Sequence, residues 1–159
     1  MSWRERLARL VAGERGVILY DAIPELQQVQ VGFAQRARQL RRHAEQAPNQ
    51  LNRLELGRLA DEDQARVQEI AAALAAVGGQ PAEAPVLAAV TGSFNHWARL
   101  VEDLESHRAA VRRLRERVIH FAETLPDTAA LFDRLYDEEE KHLTVLRDLI
   151  ARTDPQAID

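Results

Sequence analysis

The sequence predicts an all-α protein, a single bundle of four long helices, and three observations carry that expectation. Apolar residues recur at alternating steps of three and four along four separate stretches, the spacing of one buried helix face. The one Pro/Gly-rich stretch, GGQPAEAP at residues 78–85, falls between two pairs of such stretches. No run of alternating apolar and polar residues is long enough to make a strand.

The first long stripe runs through Leu26, Val29, Phe33, Ala37, Leu40 and Ala44, so a helix is predicted from Glu25 to Ala47. Residues 1–23 read as a separate N-terminal helical segment carrying Trp3, Leu7, Leu10, Val11, Ile18 and Leu19, closed or kinked at Pro24. Pro48 breaks the chain and Asn49 is a suitable N-cap for a second helix over 49–77, with Leu56, Leu59, Val67, Ile70, Leu74 and Val77 inward. Gly78 and Gly79 end it, because glycine readily adopts the left-handed cap conformation.

The connector that follows extends to about Gly92, with one turn of helix expected at 86–90. It is longer than adjacent antiparallel helices need and suits a chain that crosses the length of a bundle. Ser93 is the expected cap of a third helix reaching Glu123, with the seam Trp97, Leu100, Leu104, His107, Val111, Leu114, Val118 and Phe121. Thr124 and Asp127 have the spacing of a capping box, with Pro126 in the first turn of a fourth helix that ends near Arg152. The bundle domain is therefore expected over 24–153, followed by a tail at 154–159.

Composition excludes several classes of function. The 159-residue chain has no cysteine, which removes disulfides, thiolate metal sites and cysteine nucleophiles. Its net charge of −4 provides no field that would favour nucleic acid or an anionic membrane. No apolar run approaches the ~20 residues of a membrane span, and the first residues lack the apolar core of a signal peptide, so a cytoplasmic protein is expected. There is no Gly-rich phosphate loop and no nucleophile–base motif.

The informative residues are polar side chains on the apolar seams. In the fourth helix, Glu139 and His142 fill positions of the series 135, 139, 142, 146 and 149 that leucine would otherwise occupy. The third helix places His107 on its seam, and the second places Asp63 there, with Glu62 one step around. Folding the last two helices about residue 125 sets His107 level with residue 143, and folding the first two about residue 48 sets Asp63 level with Phe33 and Ala34. These residues are thus expected to meet at mid-bundle. Two imidazoles with carboxylates are ligand types for iron, manganese or zinc. The competing reading is a satisfied polar cluster, with a histidine paired to Glu139 or to an arginine reaching inward.

Other constellations read as ordinary structure. The basic clusters RARQLRR and RRLRER are solvated helix faces, Trp97 is a core residue, and His43 and His120 are partly exposed. Glu138 and Glu140 are expected to face solvent or to screen neighbouring arginines.

The Glu-x-x-His of Glu139 and His142 within EEEKH resembles the last helix of ferritin-like proteins such as bacterioferritin and rubrerythrin. RLADEDQARVQEIAAALAAVGGQP likewise resembles the second helix of that family running into its connector, so the resemblance spans about 25–152. It implies a ferritin-like four-helix bundle with a degenerate di-iron ligand set, closest to the small bacterial members. Glu62 matches the second-helix glutamate, but Ala65 stands where its histidine partner belongs. Glu105 is the candidate for the third-helix glutamate, and the first helix offers no acid between Glu25 and Glu45.

Two functions follow. One is a protein binding a single Fe, Mn or Zn ion through Glu139, His142 and His107, closed by Asp63 or Glu62, without a complete di-iron oxidase site. The other is a bundle without metal that acts through self-association, as a homodimer or larger homo-oligomer, or through a protein partner. Trp3, Tyr20 and the aliphatic residues of 2–23 would then be its contact surface.

Overall fold

The computed structural model describes residues 3–82 and 95–157, with side chains from residue 21 onward. These residues form four helices: α1 Trp3–Glu45, α2 Gln50–Ala76, α3 His96–Phe121 and α4 Pro126–Ala151. Among the described residues there is no strand, and no helix is long and apolar enough to cross a membrane.

The local chemistry of each helix end differs. Asn49 caps α2 by accepting the Asn52 amide at 2.9 Å, as its side chain suggests. The other end of α2 closes in a Schellman motif: Gly78 N–H donates to Ala75 O at 3.1 Å and Gly79 N–H to Leu74 O at 2.8 Å. Gly78 takes φ +79°, which an L side chain resists. Gly79 leaves room for Ile23, whose side-chain carbons would lie 3.1–3.2 Å from any added Cβ.

Three expectations about helix ends are corrected. The cap of α3 is Asn95, whose side chain accepts the Ala98 amide at 2.8 Å; Ser93 and the helical turn expected at 86–90 lie outside the described residues. Leu125, not Thr124, is the N-cap of α4, and no side chain caps it; Pro126 takes the first helical position, where its fixed φ suits the helix. Of the two outcomes expected at Pro24, an end or a kink, the helix does not end there: α1 runs through it. A helical proline costs about 3 kcal/mol. Burial of Ala22 and Leu26 on either side offsets it, a fully buried leucine alone being worth roughly 1.5–3 kcal/mol.

Polar contacts establish the topology. α1 runs antiparallel to α2, since Arg41 meets Asp61 while Gln27 meets Gln80. α1 is also antiparallel to α3, with His43 on Asp103 and Glu25 on Arg117. α2 is antiparallel to α4, with Glu62 on His142 and Glu69 on Arg134. α3 and α4 form the second hairpin, joined by His107 with Glu139 and by Phe121 with Phe132. The directions are up, down, down, up, so the connection between α2 and α3 joins opposite ends of the bundle.

The core is divided. One apolar cluster gathers around Leu26, Phe33, Ile70, Leu74, Leu114, Phe121, Phe132 and Leu135. A second gathers around Leu40, Leu56, Leu59, Leu100, Leu104, Leu143, Leu146 and Leu149. Between them on α1, α2 and α4 the seams carry Arg36, Asp63, Glu139 and His142, all buried. Hydrophobic burial on both sides holds this polar layer in place and keeps bulk water from it.

Candidate metal centre

Four side chains in that layer each bring one ligand atom to within 4.8 Å of the others: Asp63, His107, Glu139 and His142. They come from α2, α3 and α4 because each occupies a core step of its own helix, with leucines one turn away. His107 Nδ1 lies 2.7 Å from Glu139 Oε2. His142 Nδ1 lies 3.4 Å from Asp63 Oδ1 and 3.8 Å from Glu139 Oε1. The two imidazoles meet edge to face, with centroids 5.4 Å apart.

On α1, Arg36 closes the group. Its Nε is 3.7 Å from Asp63 Oδ2 and its Nη2 is 3.5 Å from Glu139 Oε1. The guanidinium lies over the Phe33 ring at 4.4 Å, a cation–π contact inside the protein. At the outer edge Glu62 Oε2 meets His142 Nε2 at 2.8 Å, and Arg58 holds the other Glu62 oxygen at 2.6 Å. A cleft of about 260 Å³ between α2 and α4 reaches His142 from the surface, lined also by Arg58, Glu62, Arg66, Glu138 and Lys141.

The electrostatics follow from burial set against these partners. Burial opposes ionisation of Glu139, but the Arg36 charge and the bond and charge of His107 outweigh it, with help from His142. The carboxyl is held down at about 2. For Asp63 burial wins, supported by the neighbouring Glu139 charge, and its pKa is raised despite His142 and Arg36. His142 is pushed down by burial but raised on balance by Asp63, Glu139 and Glu62. Glu62 is lowered on balance, because the bonds from His142 and Arg58 exceed the effect of its partial burial.

Within this group, satisfaction is incomplete. Neither oxygen of Asp63 has a hydrogen-bond partner, nor has His142 Nδ1, although all three atoms are fully buried. Buried polar atoms without partners are uncommon, each costing about 1–3 kcal/mol. A His142 whose Nε2–H is donated to Glu62 carries its lone pair on Nδ1, aimed at the two carboxylates. That is the outer-sphere pattern of a metal-ligating histidine. The donor set therefore fits a divalent cation.

The architecture is shared with a solved structure, Dps from Thermosynechococcus elongatus. The two align with a TM-score of 0.74 over 88% of this chain and 97% of the other, at 20% identity. The chain has the ferritin-like fold. No protein-family model and no curated protein sequence matches it.

Within this ferritin-like bundle the six candidate ligands separate into three groups. Asp63, His107, Glu139 and His142 converge. Glu62 stands at the rim, its side chain 39% exposed, and touches the group only through His142. Glu105 is on the outer face of α3, its side chain 58% exposed and bonded to Arg108, so it does not reach the centre.

Several buried polar residues were not anticipated. Arg36 belongs to RARQLRR, read as a solvated face, yet it is only 5% exposed. The signal was its spacing, three residues after Phe33 and four before Leu40, the same stripe step as Ala37. His43, expected to be partly exposed, is fully buried and bonded through Nδ1 to Asp103 at 2.8 Å, which also accepts from Gln39 at 2.7 Å. His96 is buried and 2.7 Å from Asn52, whereas Trp97, expected in the core, is half-buried. Glu138 pairs with Arg66, as the screening role anticipated.

Proposed function

We propose that this ferritin-like bundle binds one divalent metal ion through Asp63, His107, Glu139 and His142. The observation that carries the proposal is the convergence of four buried ligand atoms, from Asp63, His107, Glu139 and His142, to within 4.8 Å of one another, with the Asp63 oxygens held by contacts no shorter than 3.4 Å. Glu62 fixes the orientation of His142 from outside the ligand set. The leucines above and below keep the donors in a dry, shaped space.

Iron or manganese at this position would supply one-electron redox chemistry, and zinc would supply rigidity or Lewis acidity. The chain's own contribution is to bind and orient the ion and to restrict access to the α2–α4 cleft. The unfilled donors suit a single ion, since Glu105 is on the surface and α1 presents Arg36 instead of an acid.

The test is elemental analysis of protein purified without a chelating column, on the unmodified chain and on His142→Ala. One ion per chain is expected in the first and a loss of most of it in the second. An unmodified chain that binds no added Fe²⁺, Mn²⁺ or Zn²⁺ would refute the proposal.

A further inference from the structure

We infer that Arg36 is a resident cation occupying the place of a second metal ion, so that the centre takes one divalent ion and no more. The inference rests on the metal-binding reading and adds what limits the site. Its basis is the way the two carboxylates divide their oxygens. Asp63 Oδ1 faces His142 at 3.4 Å, while Oδ2 faces Arg36 at 3.7 Å. Glu139 Oε2 faces His107 at 2.7 Å, while Oε1 faces Arg36 at 3.5 Å. Each carboxylate thus has one oxygen toward the guanidinium, that of Glu139 shared with His142 at 3.8 Å, and the other toward an imidazole alone. That is the arrangement of carboxylates bridging two cations, and here the second cation is part of the chain.

The guanidinium is built into its position. Phe33 lies beneath it at 4.4 Å, and Gly32 leaves space beside it, with Nη1 3.4 Å from where a Cβ would be. The side chain is 6% exposed, so no counter-ion from solvent balances it directly. An arginine cannot deprotonate to make way for a metal. Charge then sets the capacity. One divalent ion together with Arg36 already outweighs the two carboxylate charges of Asp63 and Glu139. A second divalent ion would enter against the full repulsion of the guanidinium.

The experiment titrates the full-length chain and its variants with Co²⁺ alone, followed by calorimetry and by metal analysis after dialysis. The unmodified chain and Arg36→Lys are expected to bind one ion. Arg36→Glu is expected to bind two, because the introduced carboxylate replaces a cation with a ligand. Arg36→Gln is expected to bind its ion about tenfold more tightly or better, since it loses a positive charge a few ångströms away. Should Arg36→Glu not fold, the Gln variant decides alone, and unchanged or weaker binding overturns the inference. Two ions in the unmodified chain, or one ion at unmodified affinity in a folded Arg36→Glu, also overturns it while leaving metal binding intact. Binding by Arg36→Glu but not by the unmodified chain would sustain Arg36 as the substitute cation and refute the metal-binding reading. Binding by none of the four refutes both.

Discussion

Glu139 lies at 0% exposure between Arg36, His107 and His142, so its charge is the one that the surrounding groups share. Glu139→Leu preserves bulk but leaves the guanidinium with Asp63 alone. Removing one member of a buried ion network costs about 3–5 kcal/mol, and urea unfolding of the metal-free variant should show a loss of that size. Glu105→Ala, at the exposed candidate, should change stability by less than about 0.5 kcal/mol. Equal effects from the two would mean that the buried network contributes nothing. The pH dependence of the metal-free protein tests the same groups. His142 faces Glu62 and Asp63 of α2, Glu139 of its own helix and His107 of α3, and its pKa is raised above the ordinary 6.5. Its contribution is complete below pH 6.5 and is lost as the pH rises through the folded value. Glu139 acts in the opposite sense: its contribution is present above 4.5 and is lost as the pH falls toward about 2. Asp63, raised from 3.8, opposes Glu139 on the acid side. The clear expectation is therefore alkaline. The melting temperature of metal-free protein should fall above pH 6.5, and His142→Gln should flatten that fall. A melting temperature that rises over the same range would contradict the assignment. At this scale the sequence revealed acids and imidazoles well, because a charge on a leucine seam breaks a pattern. It concealed Arg36, because one arginine among four in RARQLRR breaks nothing until the partner helices are in place.

The helices themselves were legible wherever their signals were local. Every stripe residue named on α1 from Leu26 to Ala44 is buried, and the ends of α2 close as Asn49 and Gly78 suggest. Thr124 misled because α4 begins one residue later than its spacing suggests, with Pro126 at the first helical position and Leu125 before it; at Pro24, core contacts carry α1 onward. His43, Asp103, Asn52 and His96 were missed for a related reason, since each pair joins different helices and no intrahelical spacing marks it. The glycines of α2 give a test of opposite signs. Gly78→Ala must hold a side chain at φ +79°, and about 1–2 kcal/mol of stability should be lost. Gly57 lies within α2, and an added Cβ there meets nothing within 4 Å, so Gly57→Ala should gain about 0.5–1 kcal/mol. Chemical denaturation measures both. A loss at Gly57 would show that the outer face of α2 is less open than its geometry indicates, and no loss at Gly78 would show that the Schellman turn relaxes.

Across the whole molecule, the centre lies where the two hairpins meet. Asp63 is the one member of the four-residue group contributed by the α1–α2 hairpin, and the other three belong to α3 and α4. An ion bound by all four cross-links hairpins that are otherwise held together by apolar contacts and ion pairs. Binding to the native state alone adds about 2.7 kcal/mol when free metal is one hundred times its dissociation constant. For a chain of this length, 1 kcal/mol moves the melting temperature by about 2–4 °C, so the expected rise is roughly 5–10 °C. Asp63→Asn keeps the shape of the ligand but removes its charge. If that weakens binding about tenfold, 1.4 kcal/mol of the gain disappears, and the rise at the same metal concentration should be roughly halved. Calorimetric melting of both proteins, with chelator and with added metal, separates the possibilities. An identical rise in the two proteins would place the ion within the α3–α4 hairpin and deny it any part in joining the halves. A rise in the unmodified chain that is cut back in Asp63→Asn would mean that metal supply sets how firmly the ferritin-like bundle is closed.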